Sequence, residues 1–196
     1  MRIGLFFGSF NPVHHGHLII AQYFLNETDI EQIWMVVSPQ NPFKSSSQLL
    51  NEYQRLHLVR IATEKTPQIK PVDIEFRLPK PSYTINTLTY LKEKYPKHEF
   101  SLIMGTDSVQ NLPNWKNGSL ILNEYKIYAY KRPGVELRDS PAKYLSVMEA
   151  PSLMISSSYV RDLIEKGKSI RFLLPEEVIS EIERSGYYRS KPPANE

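Results

Sequence analysis

Ile3-Gly4-Leu5-Phe6-Phe7-Gly8-Ser9-Phe10-Asn11-Pro12-Val13-His14-His15-Gly16-His17-Leu18 is the stretch on which the reading of the fold turns. A short run of bulky apolar residues ends at a glycine, passes through an Asn-Pro turn and gives way to helical spacing. That is the pattern of a buried strand, a tight loop and a helix N-terminus. Three of the eight glycines, Gly4, Gly8 and Gly16, fall here, so unusual backbone concentrates in one place. Outward from it, similar runs recur at 33–37, 72–76, 100–104 and 127–130, with a weaker sixth at 144–148. Helical spacing fills the gaps at 16–26, 51–65 and 84–95, and resumes at 157–166 and after Pro175. Asn51 with Gln54 makes a capping box, Gly167 and Gly186 close the last two helices, and Glu176 and Glu177 complement a helix dipole. The alternation predicts an α/β fold, a single-domain Rossmann-like doubly wound parallel sheet. Such sheets bind ligands beyond the strand ends at the topological switch point, next to the first strand.

Composition narrows the function classes. The 196 residues are 41% hydrophobic and 23% charged, enough for one domain, expected over 1–190, with a disordered tail at 191–196. A net charge of +3 is too mild to argue for nucleic acid. The absence of cysteine excludes disulfides, thiolate nucleophiles and zinc fingers. No apolar run approaches the roughly 18 residues of a membrane span, and the N-terminal run reads as a strand, not a secretion signal. A cytoplasmic protein is expected, one with which a homo-oligomer is compatible.

The chemistry-bearing residues cluster at two helix starts. His14 and His17 stand three apart, so a helix beginning at His14 puts both on one face of its first turn. Free N–H groups and the positive dipole end there favour a phosphate, and two imidazoles add donors. The plainer alternative is that the pair caps the helix or fills a polar pocket. Ser156, Ser157 and Ser158 precede Arg161 at a second helix start. One serine suffices as a cap, whereas three with a guanidinium also make a polyphosphate cradle, and the spacing leaves both readings open. Lys44, in a Pro- and Ser-rich segment, fits a phosphate-reaching lysine and a solvated one equally. Gly105 and Asp107 follow the fourth run, where glycine admits close backbone approach and a carboxylate can accept from ribose hydroxyls. Asp107 could also cap the next helix. Gly167-Lys168-Ser169 is not a P-loop, because position 162 is aspartate, and G-x-G-x-x-G is absent. His14 and His17 lack a third ligand at motif spacing, so no protein-held metal is expected. Trp34 reads as core, and His57 and His98 as surface or packing residues.

G-S-F-N-P-x-H-x-G-H at 8–17 together with I-S-S-S-x-V-R at 155–161 resembles the nucleotidyltransferase superfamily of adenylyl- and cytidylyltransferases. Within it, the likeness to the bacterial nicotinate-nucleotide adenylyltransferase family covers nearly the whole chain. It runs through 38–44, 81–88, Gly105-Thr106-Asp107, Trp115, 131–134, 173–175 and Gly186-Tyr187-Tyr188. The resemblance implies AMP transfer from ATP to nicotinate mononucleotide, giving nicotinate adenine dinucleotide and pyrophosphate in NAD biosynthesis, with Mg²⁺ accompanying ATP. It implies that Gly8, Ser9, Phe10, His14 and His17 meet ATP after the first strand, with His17 nearest the α-phosphate. Ser156, Ser157, Ser158 and Arg161 would take the outer phosphates, and Gly105 and Asp107 the adenosine. Lys44 would reach the phosphates and, with Tyr83, Thr84 and Trp115, the acceptor. Trp115 would lie flat on the pyridine ring, and backbone N–H groups near Thr84 would receive its carboxylate.

Two positions depart from the commonest family pattern: Phe7 stands where a second glycine is frequent, and Asn11 where aspartate is usual. The second puts any role of that position in placing Mg²⁺ in doubt. Rival expectations are a sister enzyme acting on nicotinamide mononucleotide or phosphopantetheine, and a non-catalytic nucleotide sensor on the same fold.

Overall fold

A computed structural model describes residues 1–39, 49–132, 134, 135, 137, 142–151 and 153–189. Lys44 and the tail 191–196 lie outside the described residues. Six strands, β1 (Arg2–Gly8), β2 (Gln32–Val37), β3 (Ile69–Val72), β4 (Glu99–Gly105), β5 (Lys126–Tyr130) and β6 (Leu145–Met148), pair in parallel in the order β3-β2-β1-β4-β5-β6. The order reverses between β1 and β4, which sets the switch point. Around the sheet pack α1 (His15–Glu27), α2 (Glu52–Thr63), α3 (Thr84–Lys94), α4 (Thr106–Asn111), α5 (Gly118–Glu124), α6 (Ser157–Glu165) and α7 (Glu176–Ser185). The expected doubly wound sheet is found.

Strand periodicity divides the core between the two faces. Phe6, Ile33, Met35, Val37, Ile103 and Tyr128 point to one side, where Phe24 of α1, Leu58 of α2, Val160 of α6 and Val178 of α7 cover them. Ile3, Leu5, Trp34, Val36, Leu102 and Ile127 point to the other, under Leu88 and Leu91 of α3 and Ile121 of α5. A strand flanked by helices on both faces must be apolar at every position, which is why these runs read as continuous in the sequence. Trp34 is core, as expected, at 9% exposure.

The third strand is a correction. It spans Ile69–Val72, and the expected segment 72–76 instead enters a 3₁₀ turn at Ile74–Arg77. Pro71 lies within the strand, paired with Met35, and this is tolerated because β3 is an edge. The helix ends obey their local chemistry. Asn51 Oδ1 accepts from Tyr53 N–H at 2.9 Å, and Gln54 Oε1 accepts from Asn51 N–H at 3.2 Å. Gly186 ends α7 in the left-handed region at φ 66°. Gly118 permits the closest approach in the fold: a Cβ there would sit 1.9 Å from the Leu112 carbonyl oxygen, so α5 can abut the 3₁₀ turn Leu112–Asn114 only without a side chain.

Candidate active site

The loop from β1 to α1 holds the two histidines expected to meet phosphate. His14 is the N-cap of α1, only 5% exposed, and its ring stacks on His17 with centroids 3.7 Å apart and planes 22° from parallel. Gly16 makes room for this, since a Cβ there would lie 3.0 Å from His14 Nδ1. His14 N–H donates to His17 Nδ1 at 3.3 Å. A neutral His17 that accepts at Nδ1 must carry its proton on Nε2, so the capping bond sets the tautomer and leaves an N–H at the far end of the ring. Capping and phosphate recognition, alternatives on sequence grounds, are therefore compatible in one residue.

Burial, with smaller contributions from His15 and Arg132, pushes the His14 pKa down to about 4. The unfolded chain, titrating near 6.5, binds the extra proton first, so this stabilisation is complete above that value and fades as pH falls towards 4. Unfolding free energy should drop by about 2 kcal/mol between pH 7 and pH 5 through this group. Denaturant titrations at both pH values, on the wild type and His14→Gln, measure it as the part of the drop that the variant lacks.

The second helix start reaches back to the first loop. Ser156 caps α6, accepting from Tyr159 N–H at 3.1 Å. Ser157 donates to the Pro12 carbonyl at 2.8 Å, and Arg161 Nη1 donates to the Asn11 carbonyl at 2.8 Å. Arg161 Nη2 also lies 3.4 Å from Ser158 Oγ. The three serines thus divide their duties: one caps, one braces the β1–α1 loop, and one stays beside the guanidinium. Asn11, 2% exposed, accepts at Oδ1 from Leu50 N–H at 3.2 Å and from the Tyr188 hydroxyl at 2.9 Å. The position that departs from the family pattern is therefore a structural joint between the loop, the approach to α2 and the end of the chain. Burial holds the Tyr188 phenol above its ordinary range, so it remains a donor there.

Arg55 was not among the expected site residues. It is fully buried on α2 and donates to four backbone carbonyls: Ser9 at 2.6 Å, Ser38 at 2.8 Å, Leu50 at 2.9 Å and Pro39 at 3.1 Å. A signal was present in the sequence. Arg55, Leu58, Val59 and Ala62 follow the spacing of an inward-facing stripe, and the arginine occupies a place where an apolar residue belongs.

Beyond β4, Gly105 opens α4 and Asp107 stands in its first turn, 3.3 Å from Arg132 Nε. Asp107 forms an ion pair and makes no capping bond. Thr106 Oγ1 accepts from the Arg132 backbone N–H at 3.2 Å, so the end of β5 is tied to the turn after β4. Among the residues expected to meet the acceptor, Tyr83 is the N-cap of α3, and no side chain caps the helix that begins at Thr84. Lys116, next to Trp115, lies 4.6 Å over the Tyr83 ring, which brings the Trp115 and Thr84 segments together. Glu75 is buried beside them. Thr87 Oγ1 donates to its Oε1 at 2.8 Å, and burial raises its pKa. Among the described residues, buried side-chain nitrogens without a partner are His14 Nδ1, Trp115 Nε1 and His98 Nδ1. His98 stacks on Tyr95, as a packing residue. His57 Nε2 is 3.9 Å from Glu181 on the outer side.

The assembled donors are imidazole, guanidinium, hydroxyl and backbone N–H groups, a set for holding anions. Among the described residues no group of three or more His, Asp or Glu could hold a metal ion, and no helix is long and apolar enough to cross a membrane.

The sequence profile of the cytidylyltransferase-like family matches residues 5–163. The probable nicotinate-nucleotide adenylyltransferase of Flavobacterium johnsoniae is 50% identical over 194 residues, covering 96% of this chain and all of the relative. The protein of the same description from Flavobacterium psychrophilum is 47% identical over 192 residues with the same coverage. Among solved structures, the nicotinic acid mononucleotide adenylyltransferase of Plasmodium falciparum complexed with NaAD superposes with a TM-score of 0.83 at 22% identity, covering 95% of this chain and 97% of that one. That degree of identity speaks for the fold.

Proposed function

Since this chain belongs to the cytidylyltransferase-like family, and within it to the nicotinate-nucleotide adenylyltransferases, we propose how its residues divide the work of transferring AMP from ATP to nicotinate mononucleotide. A phosphate oxygen of the mononucleotide attacks the α-phosphorus of ATP, the bond to the β-phosphate bridging oxygen breaks, and pyrophosphate leaves. No protein nucleophile enters, so a chain without cysteine is fully equipped. The difficulty is electrostatic: two phosphate charges about 4 Å apart repel by roughly 1 kcal/mol in water and about 4 at an effective dielectric of 20. Positioned donors must offset that repulsion, and such transfers depend mainly on positioning and charge stabilisation.

The observation that carries the assignment is the His14–His17 stack at the start of α1, in a loop that Ser157 and Arg161 of α6 brace at the Pro12 and Asn11 carbonyls. His17, with its proton on Nε2, serves the α-phosphate. His14, held neutral by burial, serves beside it, with Gly8, Ser9 and Phe10 lining the approach. Ser158 and Arg161 take the β- and γ-phosphates, helped by Lys44. Ser156 and Ser157 support them through the cap and the brace on Pro12. Gly105 and Asp107 receive the adenosine. Tyr83, Thr84 and Trp115 receive the pyridine nucleotide, the unpaired N–H groups at the start of α3 suiting a carboxylate. Mg²⁺ enters as the counter-ion of the ATP phosphates. Among the described residues no donor set fits a metal cage, and Asn11 has its side-chain oxygen already engaged, so no step is assigned through the ion. On this reading the protein works in the cytoplasm, where ATP is supplied.

The test is pyrophosphate release from ATP and Mg²⁺ with nicotinate mononucleotide, nicotinamide mononucleotide and phosphopantetheine in parallel. Preference for the nicotinate substrate is expected. Preference for another acceptor overturns the pocket and keeps the ATP site, and ATP binding without turnover would mark a nucleotide sensor. Trp115→Ala should raise KM for the mononucleotide by about 10-fold or more, the loss of one base-stacking contact, with KM for ATP little changed. An equal rise for both would mean that Trp115 does not face the pyridine ring.

A further inference from the structure

We propose that Arg55 is a positioning residue for adenylyl transfer, holding the Ser9–Phe10 peptide plane so that the Phe10 N–H is offered to the phosphates of ATP. The inference rests on the functional reading above and extends it to a residue remote from the substrates.

The guanidinium is fully buried and forms no ion pair among the described residues, an arrangement that a protein seldom retains for stability alone. Its hydrogen bonds show what it does. Ser9 follows β1, Ser38 and Pro39 follow β2, and Leu50 leads into α2, so one side chain draws together the backbone beyond two adjacent strand ends. Ser38 and Leu50 also bracket the segment that carries Lys44. In a trans peptide the C=O and the following N–H point in opposite directions. Leu50–Asn51 shows the consequence: the Leu50 carbonyl faces Arg55, and the Asn51 N–H, on the opposite edge, meets Gln54. At Ser9–Phe10 the carbonyl again faces Arg55, at 2.6 Å, and the Phe10 N–H is turned away from it. That N–H has no hydrogen-bond partner among the described residues. Phe10 itself sits at φ 46°, a conformation that costs a non-glycine residue energy and persists only when its surroundings hold it. Arg55 on one side and the buried Phe10 ring, edge-on to Phe6 and His17, on the other provide that hold.

The experiment compares the full-length wild type with Arg55→Lys, which keeps the charge but cannot span four carbonyls with one ammonium. In the wild type, the amide resonance of Phe10 in a ¹⁵N spectrum should move when ATP and Mg²⁺ are added; this readout needs no variant, and an unmoved resonance overturns the proposal. In Arg55→Lys, kcat per folded molecule should fall by about 10- to 100-fold with ATP affinity within a few-fold of wild type, and the Phe10 response should be lost. Thermal melts supply the folded fraction. A loss of rate that only follows the unfolded fraction, or an intact Phe10 response in the variant, would show Arg55 to be structural. Should the wild type release no pyrophosphate, the assigned reaction fails on its own account, and the Phe10 comparison still decides the role of Arg55.

Discussion

His17→Ala should lower turnover by on the order of 10² to 10³, the usual cost of deleting one preorganised donor to a transition state, while the protein remains folded. The ring is held in three ways: stacked on His14, edge-on to Phe6 and Phe10, and bonded through Nδ1 to the His14 N–H. Its donor therefore needs little reorganisation when charge builds on the α-phosphate. The capping bond itself contributes only about 1 kcal/mol to stability, so loss of rate and loss of fold separate cleanly. Two further substitutions divide the ring's roles. His17→Asn keeps an acceptor near the Nδ1 position and should restore the melting temperature without the rate. His17→Gln places an N–H near the Nε2 position and should recover part of the rate. Steady-state kinetics with circular dichroism melts distinguish them, and near-wild-type turnover in His17→Ala would remove this residue from the mechanism.

Gly118→Ala is the stability counterpart. The added carbon would stand 1.9 Å from the carbonyl oxygen of Leu112, a backbone atom that no rotamer change can move aside. Either α5 or the turn before it must shift, and overpacking of this kind costs about 3 kcal/mol, which lowers the melting temperature by roughly 6–12 °C in a domain of this size. Trp115 is caught between the two, with its N–H donating to Leu112 and its carbonyl accepting from Gly118. The variant should therefore also bind the mononucleotide more weakly, with ATP binding little altered. A scanning calorimetry trace that overlays the wild type would show that the contact relaxes freely.

Much of this was legible in the sequence, and the exceptions have physical causes. The central strands announced themselves because burial on both faces leaves an uninterrupted apolar run. The third was placed a few residues late because Pro71 reads as a strand breaker, and only an edge position, a property of the whole sheet, excuses it. The short helices α4 and α5, of six and seven residues, have too few turns to show a period. The two histidines and Gly16 were legible because their spacing states their geometry. The division of labour among the serines was not, since it depends on which carbonyl lies opposite, and Pro12 and Ser157 are 145 positions apart. Arg55 was missed because a charged residue in a helix is normally read as solvated, although its place on the inner stripe gave it away.

The bond between Tyr188 and Asn11 spans 177 positions, and the braces from Ser157 and Arg161 arrive nearly as late. During synthesis at about 5–20 residues per second, the β1–α1 loop leaves the ribosome roughly ten seconds or more before its supports exist. A nascent chain interrupted after β6 would lack these braces together with α6 and α7, which cover one face of the sheet, so the loop and the layer that supports it are completed in the same late step.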